Sequence, residues 1–227
     1  QERRAHRADG GVSHAQEEGL MGEGFDIVLA SGSPRRRELL EAAGVEFRVH
    51  AVDADETLSE ELASEPVEAV KKLAERKAAA AVEELVTPDY AGMLAVIGSD
   101  TMVVLRGEIF GKPHDAAEAE RMLRALSGCG HDVHTAVSLW MVNATADGEV
   151  GLAYRTFVDT TYVYFRELSD EEIAGYIASG EPFDKAGAYG IQGGAGVFVD
   201  HIEGSLDTVI GLPAERLLRE FPELKAS

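Results

Sequence analysis

The chain has 227 residues, of which 41 are Asp or Glu and 21 are Lys or Arg, so its formal net charge at pH 7 is −20. A surface this acidic repels polyanions, so we expect neither nucleic acid nor an anionic membrane as a partner. The single cysteine, Cys129, excludes an intramolecular disulfide framework and suits a reducing compartment, so we expect a cytoplasmic protein.

The first part of the chain differs in composition from the rest. Residues 1–24 contain charged residues, histidines and glycines but no apolar stretch of the signal-peptide type, and we interpret them as a disordered leader or an expression remnant. No segment of the sequence approaches the roughly 20 consecutive apolar residues that a membrane-spanning helix needs. Residues 25–227 are predicted to form one domain, long enough to bury a substantial core.

Strands and helices alternate along the first half of the folded chain. Helix starts are marked by Ser33-Pro34, Pro66 and Asp115, and Gly44 marks the end of the first helix. Apolar residues between these marks follow either strand-like runs or a 3.6-residue spacing. The predicted elements are a strand at 27–30, a helix at 34–43, a strand at 45–52, a helix at 66–86, a strand at 94–97, a hairpin at 102–110 and a helix at 116–126.

Strands dominate the second half, where Val, Thr, Tyr and Phe are enriched over 133–142 and 151–166. A capping box at 169–172 predicts a short helix. Five glycines between 187 and 196 predict a loop, which is followed by a strand pair over about 195–209 and a terminal helix from Leu212-Pro213. These elements predict an α/β (mixed α+β) fold with a strongly twisted mixed sheet and flanking helices.

The first strand leads through a small-residue turn directly into a helix. Backbone N–H groups at a helix start lack partners, and the helix dipole adds positive charge there. Ser31, Ser33, Arg35 and Arg36 lie at this point, which predicts a phosphate site. The segment lacks the P-loop and dinucleotide-binding motifs, and the alternative is a capped surface helix with solvated arginines.

Three further charged residues could complete such a site. Asp100 follows the apolar strand at 94–97, and Lys112 lies on the far arm of the adjoining hairpin. Lys77 falls on the apolar stripe of its helix, so it needs a partner, either a phosphate or Asp100, whereas Arg76 is predicted to face solvent. A carboxylate beside cations stays ionised, which suits a metal ligand or a base, although a structural role is the alternative.

Two loops carry the remaining candidates. Asp55 and Glu56 are paired carboxylates of the kind that bind Mg²⁺ together with substrate phosphates, and an acidic surface loop is the alternative. The amide of Gln192 complements N3–H and O4 of uracil or thymine, and a flipped amide suits cytosine equally well. His131 and His134, near Cys129, do not have the spacing of a zinc site.

Together, these segments resemble the Maf family of nucleoside triphosphate pyrophosphatases. The matching segments are 29–37, 73–78, 98–103, 111–113, 122–128, 135–137, 181–193 and 211–213, in the order found in the family. The resemblance implies a fold related to inosine triphosphate pyrophosphatase, with an elongated two-lobed structure around a central cleft, commonly dimeric. It also implies cleavage between the α and β phosphates of a nucleoside triphosphate, dependent on a divalent metal, Mg²⁺ or Mn²⁺.

The resemblance also implies roles for residues at matching positions. Asp100 corresponds to the catalytic base, and Glu56 and Asp100 to the metal-side carboxylates. The expected phosphate ligands are Ser31, Ser33, Arg35, Arg36, Lys77 and Lys112, of which the two lysines join Asp100 in the catalytic group. Arg35, Thr101 and Gln192 match positions linked to the choice of dTTP and UTP, and Leu206 departs from the aromatic residue that many members have there. The alternatives are a nucleotide-binding regulator of cell division without turnover and a purine triphosphate pyrophosphatase.

Overall fold

The computed structural model describes residues 24–225. The prediction for the leader therefore lies outside the described residues, apart from Gly24. The strands are β1 (Asp26–Leu29), β2 (Arg48–Val49), β3 (Gly92–Leu105), β4 (Glu108–Phe110), β5 (Gly130–Ala144), β6 (Val150–Phe165) and β7 (Val199–Glu203). The α-helices are α1 (Pro34–Ala42), α2 (Glu60–Ala63), α3 (Pro66–Leu85), α4 (Ala116–Leu126), α5 (Asp170–Ala178), α6 (Leu206–Ile210) and α7 (Ala214–Glu220). The 3₁₀ helices are Glu181–Asp184, Ala186–Ala188, Gly194–Phe198 and Pro222–Lys225.

The strands form a mixed sheet in the order β2-β1-β3-β5-β6-β7, with β4 paired to β3. β1 is parallel to both β2 and β3, whereas the other pairs are antiparallel. Three strands dominate, since β3, β5 and β6 contain 14, 15 and 16 residues. Helices flank this sheet, so the predicted mixed α/β fold is confirmed.

Two groups of buried side chains lie at the two ends of the long strands, and two more pack α3 against the sheet. At one end, Ile97 of β3 and Leu139 of β5 pack with β1, α1 and α7. At the other end, Val103 of β3 and Val133 of β5 pack with α4, α5 and the glycine-rich segment around Tyr189. The same strands therefore join two lobes, and the polar residues 99–101 of β3 lie between them.

Local signals located the helix starts correctly. α3 begins at Pro66, as predicted. The Asp115 side chain accepts a hydrogen bond from Glu118 N and caps α4, and the capping box of Ser169 and Glu172 is formed at the start of α5. No helix in residues 24–225 is both long and apolar enough to cross a membrane.

Strand boundaries differ more from the predictions. β3 continues through Ser99-Asp100-Thr101 instead of ending at Ile97, because β5 pairs with it from Gly92 to Val104. Asp100 therefore lies within a strand, not after one. β2 has only two residues instead of spanning 45–52. The strand pair predicted over about 195–209 is wrong: Gly194–Phe198 is a 3₁₀ helix, β7 is a single strand paired with the end of β6, and α6 follows.

Candidate active site

A cleft of about 1130 Å³ opens between the two lobes. Its walls come from both lobes and from α3, so residues far apart in sequence meet there. The predicted site residues that line it are Ser33, Arg35, Arg36, Glu56, Lys77, Asp100, Thr101, Lys112 and Gln192. Of the predicted set, which lies wholly within residues 24–225, Ser31 does not line the cleft.

Close packing of α3 on β3 brings Lys77 to Asp100. A Cβ at Gly98 would overlap the carbonyl oxygen of Ala74 and lie 2.8 Å from the amide nitrogen of Ala78, so only glycine allows this approach. Lys77 Nζ then lies 2.5 Å from Asp100 Oδ1. The lysine is 14% exposed and the aspartate 11%, so this pair is largely removed from water. Of the two partners predicted for Lys77, the protein itself supplies Asp100.

The same ammonium also contacts Glu56, whose loop is anchored on α3. Lys77 Nζ lies 2.7 Å from Glu56 Oε1, and this hydrogen bond lowers the pKa of Glu56 below its ordinary value, so its carboxylate is charged at neutral pH. Arg76 Nη1 donates to the carbonyl oxygens of Asp55 at 3.0 Å and Thr57 at 2.7 Å, on either side of Glu56. Arg76 is predicted to face solvent, and its side chain remains 31% exposed, but its guanidinium also holds this loop.

Asp55 has a local role in the loop. Its Oδ1 accepts a hydrogen bond from Thr57 N at 2.9 Å, which closes a turn around Glu56. The side chain of Asp55 is 71% exposed and lies outside the cleft lining. Of the paired carboxylates predicted for this loop, Glu56 is the one that reaches the site.

The start of α1 faces the cleft with positive charge. Ser33 is the N-cap residue, and within the described chain its hydroxyl makes no cap hydrogen bond to α1. The amides of the first turn have no acceptor within the helix and remain available. Ser31 lies behind this turn, where its Oγ accepts from Ser33 N at 3.3 Å and from Arg36 Nη1 at 3.2 Å. Ser31 therefore orders Ser33 and Arg36 at the start of α1.

Arg36 is tied to the protein through all three of its guanidinium nitrogens. Besides Ser31, it donates from Nε to Gly211 O at 2.8 Å and from Nη2 to Thr101 Oγ1 at 3.2 Å. Burial lowers the pKa of Arg36 from its ordinary value, but a guanidinium keeps its proton in proteins. Arg36 thus brings a positive charge to the cleft in a fixed orientation.

The protons of two threonines can be assigned from their partners. Thr135 Oγ1 donates its one proton to Thr208 O at 2.6 Å. In the 2.9 Å contact between Thr101 and Thr135, Thr101 must therefore be the donor. With its proton used in this way, the Thr101 hydroxyl presents only acceptor capacity to the cleft.

Arg35 contacts the opposite lobe across the cleft. Its Nη1 lies 3.9 Å from Oδ2 of Asp184, in the 3₁₀ helix Glu181–Asp184. Burial raises the pKa of Asp184, but Lys185 and Arg35 outweigh this effect and hold it below its ordinary value. A partly exposed pair at this distance stabilises the fold by less than about 1 kcal/mol, so a phosphate can compete for Arg35.

Lys112 differs from the other cleft cations. It lies in the exposed segment after β4, and among residues 24–225 it makes no hydrogen bond or ion pair. Its charge contributes to lowering the pKa of Glu56. The Lys112 ammonium is therefore free to bind an anion without first breaking a contact within the described chain.

Gln192 projects from a tight turn in the glycine-rich segment. Gly193 N donates to Gly190 O at 3.0 Å, which closes a β-turn with Gln192 as its third residue. Gln192 is exposed and lines the cleft. Leu206, by contrast, is 46% exposed on the first turn of α6, while Val209 and Ile210 of that helix line the cleft.

A buried histidine supports the cleft wall from behind. His131 Nε2 lies 2.8 Å from Tyr189 Oη, and Tyr189 lines the cleft. Burial lowers the pKa of His131 to about 4, so the ring is neutral at physiological pH. His131 therefore packs under the site as a neutral ring that is hydrogen-bonded to Tyr189.

The carboxylates offer an incomplete metal site. No group of three or more His, Cys, Asp or Glu in the described part of the chain could hold a metal ion. Glu56 and Asp100 nevertheless meet at Lys77 Nζ and present two oxygen donors in the cleft. Mg²⁺ is commonly bound by one or two carboxylates together with substrate phosphates. The residues present thus fit a divalent cation that binds together with a nucleotide.

Sequence reasoning missed three residues that build this site: Gly98, Arg76 and Glu181, which contacts the Gln192 turn. A glycine inside an apolar strand is a recognisable sign of close backbone approach, so Gly98 could have been found. Arg76 contacts backbone groups of the Glu56 loop, and Glu181 contacts Gly194 N and the Tyr176 hydroxyl. No local sequence pattern indicates such contacts.

Comparison with known proteins identifies the family. A family model described as Maf-like protein matches residues 26–224. The chain belongs to the Maf-like protein family. Relatives named dTTP/UTP pyrophosphatase, from Bacillus thuringiensis subsp. konkukian and Bacillus anthracis, are each 45% identical over 197 residues, which is 87% of this chain and 94% of the relative. The resemblance inferred from short motifs is confirmed over nearly the whole described chain.

Two solved structures show a partial likeness to this Maf-like chain. One is a nucleoside-triphosphatase, or dITP/XTP pyrophosphatase, from Mycobacterium abscessus, with 18% identity and a TM-score of 0.32 over 63% of this chain and 76% of that one. The other is the Ham1 protein of Staphylococcus aureus, with 17% identity and a TM-score of 0.35 over 87% and 98% of the two chains.

Proposed function

We propose that this Maf-like protein is a nucleoside triphosphate pyrophosphatase that hydrolyses dTTP and UTP to the monophosphate and pyrophosphate. The observation that carries the proposal is the meeting of cations from three separate segments with two carboxylates in one cleft. Binding of a triphosphate requires cations. The carboxylates are not needed for binding alone, but hydrolysis can use them as a base and as metal ligands. The relatives named dTTP/UTP pyrophosphatase support the choice of substrate.

The phosphate chain is bound by the start of α1 and by the lysines. The free amides and the dipole of α1 attract an anion, and Ser33 and Arg35 lie at the same point. Lys112 approaches from the other lobe with no competing contact in the described residues. Because these groups surround the cleft, they hold the triphosphate in one orientation and stabilise the charge of the departing pyrophosphate.

Asp100 acts as the base in this proposal. It accepts a proton from the water that attacks phosphorus, and the bond between the α and β phosphates breaks, so that pyrophosphate leaves with the electron pair. Lys77 keeps Asp100 oriented and compensates its charge at 2.5 Å. Glu56 and Asp100 would hold Mg²⁺ or Mn²⁺ together with the phosphates, and such an ion would draw charge from the phosphates and make a bound water more acidic.

In this proposal the nucleobase is selected by Gln192 and Thr101. The Gln192 amide can pair with N3–H and O4, which uracil and thymine share, and Thr101 presents an acceptor near Arg36. Pyrimidines modified at position 5 keep the same pairing edge and also fit this proposal. We further propose that the enzyme removes unwanted nucleotides from the cytoplasmic pool. We propose that it does so as a homodimer.

A substrate panel tests the proposal. The protein with Mg²⁺ or Mn²⁺ is incubated with each common and several modified triphosphates, and the monophosphate and pyrophosphate are quantified by chromatography. We expect the highest kcat/KM for dTTP and UTP. Binding without product would instead support a regulator, and preference for purines would support a purine triphosphate pyrophosphatase. Light scattering determines whether the protein is a dimer.

Substitution of the proposed base tests the mechanism. Asp100→Asn keeps the size of the side chain but cannot accept the proton, so kcat should fall by about 10²–10⁴-fold. Asp200→Asn is the matched control, because Asp200 lies on β7 with its side chain 66% exposed and pairs with His201. An Asp100→Asn variant that retains the wild-type rate would contradict the assigned role.

A further inference from the structure

The turn that carries Gln192 is held on both sides by one carboxylate. Glu181 Oε2 accepts a hydrogen bond from Gly194 N at 3.0 Å, and Glu181 Oε1 accepts one from Tyr176 Oη at 3.2 Å. Tyr176 Oη in turn accepts from Gly190 N at 3.1 Å. Glu181 thus contacts the backbone after Gln192 directly and the backbone before it through one phenol.

The shape of the turn depends on the same carboxylate. A Cβ at Gly193 would overlap the Glu181 carboxylate, so the side chain occupies the space that any other residue at 193 would need. Lys185 Nζ also donates to the carbonyl oxygen of Glu181 at 2.8 Å, which fixes the start of the 3₁₀ helix Glu181–Asp184. The glycines around Gln192 allow the backbone to fold closely around Glu181.

Tyr176 connects this arrangement to the rigid core. Its ring is 6% exposed and packs edge-on against Phe198 at a centroid distance of 5.3 Å. Burial raises the pKa of Tyr176, so the hydroxyl keeps its proton and remains a donor to Glu181. Gln192 itself is exposed, so the position of its amide depends on the turn beneath it.

We propose that Glu181 is a positioning residue that sets base selectivity by holding the Gln192 turn. The inference rests on the proposed function, in which the Gln192 amide pairs with the base. Uracil and thymine differ from cytosine at this edge by an exchange of donors and acceptors. Without the Glu181 contacts, the amide no longer has one fixed orientation and discriminates less between these bases.

The test compares dTTP with dCTP in conservative variants. Glu181→Gln keeps the size of the side chain but cannot make both acceptor contacts. Tyr176→Phe removes the hydroxyl that donates to Glu181 and accepts from Gly190 N, and leaves the direct contact between Glu181 and Gly194 N in place. We expect the ratio of kcat/KM for dTTP to that for dCTP to fall about tenfold in Glu181→Gln, mainly through KM for dTTP. The ratio of the two Kd values, measured by calorimetry in an Asp100→Asn background, should fall in parallel.

A control separates positioning from general loosening of the lobe. Glu172 is a second glutamate of this lobe, bound to Arg166 and Ser169 at the start of α5. Glu172→Gln weakens these contacts without touching the Gln192 turn, so its selectivity ratio should equal that of the wild type. Thermal unfolding of each variant shows how much stability was lost.

A double-mutant cycle decides whether Glu181 acts through Gln192. In a Gln192→Ala background, Glu181→Gln should cause no further loss of selectivity. An independent further tenfold loss, or a wild-type ratio in both Glu181→Gln and Tyr176→Phe, would overturn the inference. If wild-type protein releases no pyrophosphate from any triphosphate, the proposed function fails, whereas the Kd ratios still determine whether Glu181 positions Gln192.

Discussion

The ammonium of Lys77 lies 2.5 Å from a carboxylate oxygen of Asp100, although 23 positions separate the two residues in sequence. This contact joins α3 to β3 at the end of the longest buried run of that strand, residues 94–100. It also places the proposed base beside a fixed cation within the cleft. Glu56 shares the same ammonium, so a single lysine organises both carboxylates of the proposed site.

Removal of the Lys77 charge should damage both stability and activity. Lys77→Met leaves Asp100 and Glu56 without their shared cation, and we expect the free energy of unfolding to fall by about 3 kcal/mol, together with loss of dTTP hydrolysis. Urea unfolding at pH 7 measures the first effect. The control is Lys72→Met, because Lys72 is 53% exposed and pairs with Glu75 at 3.6 Å, and its loss should change stability by less than about 1 kcal/mol. Equal stability of the two variants would contradict this account.

Lys112 should affect substrate binding but not folding. Lys112→Gln removes an ammonium that has no partner within the described residues, so the unfolding temperature should stay close to that of the wild type. Loss of one charged contact to the triphosphate should raise KM for dTTP about tenfold or more. Steady-state kinetics at two salt concentrations checks this expectation. Lys112→Arg retains the charge, and the idea is refuted if it is as impaired as Lys112→Gln.

Gly98→Ala should separate α3 from β3. The added Cβ overlaps the backbone of α3, so the helix must move and Lys77 must withdraw from Asp100. We expect a loss of about 1–3 kcal/mol in stability and a marked loss of activity. Gly175→Ala is the control, since a Cβ there meets nothing within 4 Å in α5 and alanine favours a helix. If Gly98→Ala is fully active and stable, the close packing is not needed.

His131 should make stability depend on pH below neutrality. Burial lowers its pKa from 6.5 to about 4, so between these pH values the unfolded chain binds a proton that the folded chain does not. Stability therefore falls as the pH decreases from 6.5 to 4, with this residue contributing up to about 3 kcal/mol. His131→Phe should lose that part of the pH dependence in urea unfolding, whereas His201→Gln, at a half-exposed position, should retain it. A constant difference between wild type and His131→Phe at all pH values would exclude this role.

The helix starts could be predicted because their signals are local. Pro66, Asp115 and Ser169 each act within one turn of their own helix, and each helix begins where they indicate. The end of a strand is different, because it depends on the partner strand. β3 runs through the polar segment around Asp100 since β5 pairs with its backbone there, and the apolar pattern alone ended the strand too early.

The sequence by itself determined the composition of the site, through short motifs that carry Ser33, Arg35, Asp100, Lys112 and Gln192, and through them the resemblance to the Maf family. Only the tertiary structure decided which of these groups touch. Lys77 reaches Asp100 because Gly98 lets α3 approach β3, and the Gln192 turn is held because Glu181 meets its backbone. The physical reason is the range of the interactions. A motif reflects the conformational preferences of residues that are neighbours in sequence, whereas distances across a cleft depend on strand register and helix packing over the whole chain.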